Sequence, residues 1–511
     1  MGTDGYTAQI KRIKGKEGGV EMSFSKGFYW GGDISANQAE GGWDEGGKSP
    51  NMTDYHLGGT VNTPRMATYV LPDGTYGKTP AMIEDVELPE GAKLTCIPGE
   101  FYPNHKATDF YHHYKEDIGY FAEMGFTALN LTLSWARIFP HGVDQGVNPE
   151  GVEFYHNVFS ELKNKNIEPL VHLYKYDMPA FYITDRGGWQ NRDLIEEFYQ
   201  FGKFAINEFQ EVKLWSTFNE INIAQYAGKK YEGDPQKISR VYQGLHNQLV
   251  ASARVVKYLH DTYPDKKIGC MNAGMFSHAY TCDPQDELAN QKQMQDYFYF
   301  CSDIFVRGYY PSYTKRLFDR LHITVEITEE DREVLKEGKV DFLEFSYYFS
   351  NVVTTHETEL EMVNGNQTTG LKNPYLEVSD WGWAKDPAGL TFFLHEMYDR
   401  YQIPLFNCEN GLGAFDTLEE DGSIHDPYRI DYHRTHVQAM KDAVEEGVDL
   451  MGYTTWGCLD LVSAGTGEIR KRYGFIYVDV DDFGNGTYNR YKKDSFWWYK
   501  KCIESNGEDL D

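Results

Sequence analysis

Two glutamates stand at the ends of apolar runs. Glu220 lies in STFNEIN (216–222) and Glu409 in NCENGLG (407–413). A lone exposed glutamate is ordinarily a solvated surface group. Two that each follow a strand-like run are harder to dismiss. Carboxyls facing each other about 5 Å apart suit retaining glycoside cleavage, in which one attacks the anomeric carbon and the other protonates the departing oxygen. A third residue raises a question of its own. In HLYKYDMP (172–179), Lys175 follows the buried-strand pattern of NIEPLV. Strand exits in α/β proteins are where chemistry gathers.

Something must hold these groups together. Short apolar runs recur at 27–35, 128–135, 168–174, 213–219, 267–273, 340–348, 403–409 and 449–456. Helical patterns lie between them, clearest at 109–125, 151–165 and 192–209, with apolar residues three and four apart. Eight strand–helix units without a break in composition predict an α/β fold, a single (β/α)₈ TIM barrel with long βα loops. A doubly wound sheet is the alternative, but no GxGxxG follows the first strand. On this reading Glu220 ends the fourth strand and Glu409 the seventh, both at the active face. Residues 1–22 read as a polar leader and 23–511 as the barrel domain. Residues 36–108 are too long for an ordinary connection and are expected to form a lid or subsite loop. The segments 274–335 and 410–430 are also long.

Composition narrows the class. The 511 residues are 41% hydrophobic and 15% aromatic, enough for a large core and for flat faces that suit sugars. A formal net charge of −29 disfavours nucleic acid and anionic membrane surfaces as partners. Seven widely spaced cysteines without a CxxC form neither a disulfide framework nor a zinc site, and they fit a reducing compartment. The N-terminus has no apolar segment of the signal-peptide kind, and no run reaches membrane-spanning length. A cytoplasmic enzyme with a small-molecule β-glycoside substrate is expected; a homo-oligomer is compatible with the sequence.

TFNEIN and ENGLG resemble the paired signatures of the family-1 glycoside hydrolases. The likeness extends to WGGDISANQAEGGW (30–43), GGWQNRDLIEEF (187–198), DPAGL (386–390), TTWGCLDLVSAGTGEIRKRYGFIYVD (454–479) and YKKDSFWWYKK (491–501), nearly the whole chain after the leader and in the family's order. The resemblance implies a (β/α)₈ barrel, retention of configuration, and no cofactor or metal. It implies that Glu220 is the acid/base and Glu409 the nucleophile. It further implies that Asn219 bonds the sugar 2-hydroxyl, Gln38 the outer hydroxyls and Tyr348 the nucleophile, with Trp456 the platform beneath the sugar. LVSA, with Ser463 and Ala464, resembles the 6-phospho-β-glucosidase branch. There a Ser, a Lys and a Tyr hold the phosphate at spacings of six and two. Lys471 and Tyr473 match, whereas the serine position is Gly465. One lost hydrogen bond to a charged group is worth roughly 1.5–3 kcal/mol. The backbone N–H of Gly465, or the Ser463 or Thr466 hydroxyl, is a candidate substitute.

Two positions depart from the family. The second strand should carry an arginine beside the nucleophile and has Asn130. The third should end in a histidine for the sugar 3-hydroxyl and has Lys175. One strand loses a cation as its neighbour gains one. Lys175 therefore replaces the missing charge for Glu409 or for a substrate anion, or recognises a modified sugar, or snorkels to solvent. The expected activity is a retaining β-glycosidase acting on β-glucosides, foremost 6-phospho-β-glucosides. The alternatives are a β-glycosidase for a non-phosphorylated or modified (acidic or oxidised) sugar, and a catalytically weak sugar-binding homologue.

Overall fold

A computed structural model describes residues 23–274, 276–364 and 369–511. The polar leader expected over 1–22 lies outside the described residues. Eight parallel strands close into a barrel: β1 (Tyr29–Ile34), β2 (Ala128–Thr132), β3 (Glu168–His172), β4 (Leu214–Ser216), β5 (Lys267–Ala273), β6 (Phe342–Ser346), β7 (Leu405–Glu409) and β8 (Leu450–Trp456). Each lies inside one of the eight apolar runs. The strands are buried nearly throughout, which is why they read as continuous hydrophobic stretches and not as alternating ones.

One helix after each strand forms the outer ring: α1 (Phe110–Met124), α2 (Pro149–Asn164), α3 (Leu194–Glu208), α4 (Pro235–Thr262), α5 (Phe300–Arg307), α6 (Pro387–Tyr401), α7 (Pro427–Glu445) and α8 (Asp494–Glu504). The clear helical patterns become α1, α2 and α3. In α2, Pro149 opens the first turn, and Phe154, Tyr155, Val158, Phe159 and Leu162 form its buried stripe. In α3 the stripe is Leu194, Ile195, Phe198, Phe201, Ala205 and Ile206. Trp135, from the β2 loop, stacks on Phe201 with ring centroids 5.1 Å apart, tying that loop to the helical layer. A smaller inner core of Leu170, Leu214, Met271, Phe342, Phe406 and Cys408 fills the barrel floor.

The long first connection is more than a loop. It carries a four-stranded antiparallel sheet made of Met66–Val70, Tyr76–Met82, Asp85–Val86 and Lys93–Leu94. These strands are half-exposed and carry mixed residue types, so no apolar run announces them. At the turn of this insert Ile83 takes φ +50 and is buried. All seven cysteines are free thiols. No helix among the described residues is long and apolar enough to cross a membrane.

Candidate active site

Glu409 is the last residue of β7, and Glu220 lies four residues beyond β4. Both line one cavity at the C-terminal end of the barrel, with Gln38, Lys175, Tyr176, Asn219, Tyr348, Trp383, Trp456 and Tyr473. Glu220 sits at φ +44, a left-handed conformation that non-glycine residues rarely adopt. Ser346, at the end of β6, donates to its Oε1 at 2.6 Å. Burial and the nearby Glu409 charge push the Glu220 carboxyl up to about 8, against the opposing pulls of Ser346 and Lys175. It is therefore mainly protonated at neutral pH, the state a general acid needs. Tyr348 donates to Glu409 Oε2 at 2.7 Å.

Lys175 does not snorkel. It is 3% exposed, and its Nζ lies 2.7 Å from Glu409 Oε1 and 2.7 Å from Asp33 Oδ2. It also lies 4.6 Å from the centre of the Trp456 ring. Burial opposes its charge, but Asp33 and Glu409 together hold the ammonium above its ordinary range. Asn130 does not reach Glu409 in the manner of an arginine. Its Nδ2 donates to Asp33 Oδ2 at 3.0 Å. Asp33 is the residue that sequence reasoning missed. It is fully buried on β1, in register with Asn130 on β2 and Trp456 on β8. Its signal was present: a carboxylate within WGGDIS, on the strand next to the one that lost its arginine.

Gln38 lines the cavity, but both ends of its amide are engaged. Nε2 donates to the Val462 carbonyl at 2.7 Å, and Oε1 accepts from Ser35 at 2.7 Å. Asn219 lines it with a buried Oδ1 that has no partner among the described residues, an acceptor available to a sugar hydroxyl. Of the phosphate candidates, Tyr473 reaches the cavity directly. Lys471 is buried behind it, its Nζ 4.2 Å from the Trp383 ring centre, 5.3 Å from Trp381 and 5.5 Å from Tyr473. Burial pulls this ammonium down to about 7, against an upward influence from Glu468. Ser463 is buried, with a hydroxyl that has no partner among the described residues. Gly465 is half-buried in the same loop. Arg65, from the insert, braces that loop by donating to the Ala464 carbonyl at 3.3 Å, and it also lines the cavity.

A family model for glycosyl hydrolase family 1 matches residues 99–508. The chain belongs to glycosyl hydrolase family 1. It is thus a glycoside hydrolase, a retaining β-glycosidase on a TIM barrel. Aryl-phospho-beta-D-glucosidase BglH of Bacillus subtilis (strain 168) is 45% identical over 496 residues, covering 96% of this chain and 99% of that protein. 6-Phospho-beta-glucosidase AscB of Escherichia coli (strain K12) is 44% identical over 494 residues, covering 96% and 99%. Among solved structures, a beta-glucosidase from Thermotoga maritima in complex with glucoimidazole superposes with a TM-score of 0.75 at 27% identity, covering 95% of this chain and 99% of that one.

Two further features lie beside this family-1 site. A second cavity shares Ile83, Tyr176, Asn219, Glu220 and Ile223 with the first and runs to Trp189, Phe218 and Val241. Within it, burial pushes Glu84 up to about 7, and Tyr174 donates to its carboxylate. Below the site, inside the barrel, His172, Glu344 and Cys408 place ligand-type atoms within 4.8 Å of one another. Their contacts are of hydrogen-bonding length: His172 Nε2 lies 2.9 Å from Glu344 Oε2, and the Cys408 thiol donates to the same oxygen at 3.2 Å.

Proposed function

We propose that this chain hydrolyses 6-phospho-β-glucosides by double displacement, with Glu409 as nucleophile and Glu220 as acid/base. The observation that carries the catalytic roles is the contrast between two carboxyls in one cavity. Glu409 is held by a lysine and a tyrosine, groups that favour an anion. Glu220 is kept protonated by burial and by Glu409. In the first step Glu409 attacks C1 while Glu220 gives its proton to the departing oxygen. In the second, Glu220 takes a proton from water as the water attacks C1, and Glu409 leaves. Asn219 supplies a bond to the 2-hydroxyl and Trp456 the floor. The departing group lies on the Glu220 side, where the second cavity opens, and its aromatic and aliphatic walls favour an apolar aglycone.

The phosphate is assigned to the wall formed by Tyr473, Lys471 and the 463–467 loop. Relatives that resemble the whole chain and are named phospho-glucosidases support this reading. So does a lysine whose proton an arriving anion would secure. An anionic group beside Lys175 is disfavoured, because two carboxylates already share that ammonium. A phosphorylated sugar does not cross membranes unaided, so the enzyme is assigned to the cytoplasm. The test is a panel of 4-nitrophenyl β-glucoside, 6-phospho-β-glucoside, 6-phospho-β-galactoside and β-glucuronide, with Glu409→Gln as control. Turnover centred on the phosphorylated glucoside is the expected result. Turnover confined to another sugar rejects the phosphate reading, and tight binding without turnover rejects the catalytic one.

A further inference from the structure

Asp33, Asn130, Lys175 and Glu409 form one connected group. Asp33 Oδ2 accepts from Asn130 at 3.0 Å and from Lys175 at 2.7 Å, and the same Nζ reaches Glu409. None of the four is more than 5% exposed. Asp33 Oδ1 is buried with no hydrogen-bond partner among the described residues, so this carboxylate is present for something other than a saturated structural network. Neither the glycosidase reaction as described above nor the packing of β1 calls for an acid at this point.

We infer that Asp33 is a positioning residue that holds Lys175 through the covalent half of the reaction, sharing the ammonium with Glu409 in the free enzyme and keeping it alone while Glu409 is esterified. The inference rests on the reading of Glu409 as nucleophile. In the first step a Glu409 oxygen forms a bond to C1 and the bond from C1 to the aglycone oxygen breaks. Its electron pair leaves on that oxygen, which takes the Glu220 proton. The negative charge of Glu409 is thereby consumed in the ester, while the positive charge of Lys175 remains. A buried ammonium without a counter-charge is strongly disfavoured. Asp33 is that counter-charge. In the second step water bonds to C1, its proton passes to Glu220, and the C1–Glu409 bond breaks with its electron pair returning to the carboxylate. Lys175 is then shared again.

In the free enzyme burial raises the Asp33 carboxyl well above its ordinary range, with Glu409 adding to the rise and Lys175 opposing it. Esterification removes the Glu409 charge, so Asp33 is held more firmly as a carboxylate at the stage that needs it. Sharing has a second effect. An ammonium devoted wholly to Glu409 would hold the attacking electron pair too tightly; one divided between two carboxylates releases it more readily.

The experiment uses 2,4-dinitrophenyl 6-phospho-β-glucoside, whose good leaving group makes hydrolysis of the ester limit kcat while kcat/KM reports its formation. In Asp33→Asn, kcat/KM falls at least about 30-fold while kcat stays within about threefold of the parent. Asp33→Glu recovers most of the loss. The double variant Asp33→Asn, Lys175→Met is no worse than the poorer single variant, because the charge that needed Asp33 is gone. Parallel falls in kcat and kcat/KM, or single effects that multiply in the double variant, overturn the inference. A crystal structure of the parent enzyme trapped with a 2-deoxy-2-fluoro 6-phospho-glucoside tests it without any substitution. Lys175 Nζ is expected within about 3 Å of Asp33, and a Lys175 that has left Asp33 overturns the inference. Peptide mass spectrometry of the trapped enzyme separates the two readings. A label on a residue other than Glu409 rejects the nucleophile, whereas a label on Glu409 with parallel kinetic falls rejects only the role of Asp33.

Discussion

Lys175 and Lys471 are the same residue at the same depth, 3% and 1% exposed, in two walls of one site. Their surroundings drive them apart. Lys175 lies between two carboxylates, and its ammonium is held above the ordinary lysine range. Lys471 lies among the rings of Trp381, Trp383 and Tyr473, and burial brings it down to about 7. Burial alone therefore does not decide the charge of a lysine; its partners do. A charge that must be present at every stage of catalysis is built in with its counter-ions. Where burial outweighs the neighbours, as at Lys471, the charge sits near its tipping point at neutral pH.

The sharpest way to break this comparison is to remove each cation in turn. In Lys175→Met the Asp33 and Glu409 carboxylates face each other without their shared ammonium. Turnover falls on the order of 10²–10³-fold, and the folded state loses about 3–5 kcal/mol, read by dinitrophenol release and urea unfolding. In Lys471→Met, unfolding stability changes less than in Lys175→Met, because burial already weighs against the ammonium there. Hydrolysis of an unphosphorylated β-glucoside stays within about threefold, while KM for its 6-phosphate rises about 10- to 100-fold. Equal losses in the two variants would abolish the distinction.

The next test is pH. The charged form of Lys471 prevails below about 7 and is lost above it. The KM of the phosphorylated substrate should therefore rise with pH through that range, relative to the unphosphorylated one. A constant KM ratio from pH 6 to about 8.5 would count against Lys471 as the phosphate's cation. The Glu220 proton gives a separate alkaline limb in kcat/KM near 8, since the acid is lost above that value. Lys175→Met should move this limb upward, because the lysine charge lowers the Glu220 value, and Lys471→Met should leave it in place. The smallest effect expected is that of Gly465→Ser. It restores one hydroxyl and should lower KM for the phosphorylated substrate about three- to tenfold.

Much of this was legible in the sequence, for physical reasons. Strands buried on both faces read as apolar runs, so all eight could be located, and the two glutamates followed from where those runs end. Asn130 and Lys175 were recognisable as misfits. Their common partner was not, because Asp33 sits inside a stretch that otherwise looks like framework. Only the pairing of β1 with β2, and of β2 with β3, brings it to the side of the β3 exit and into contact with Lys175. The inserted sheet escaped for another reason. Its strands are half-exposed and of mixed residue types, and pairing among themselves, more than an apolar face, makes them strands. The aromatic cage of Lys471 draws Trp381 and Trp383 from a loop far away in sequence, and no local pattern announces such a meeting.

Ile83 gives the insert a further meaning. A β-branched residue at positive φ is an uncommon arrangement, and here it lines both the sugar chamber and the lateral cavity. The segment that carries it contributes no strand to the barrel. The lateral cavity is thus walled jointly, by Met82 to Asp85 of the insert and by barrel loops that include Trp189 and Phe218. Exchange of the hairpin tip between family members is accordingly expected to shift leaving-group preference while Glu409 keeps its place on the closed sheet.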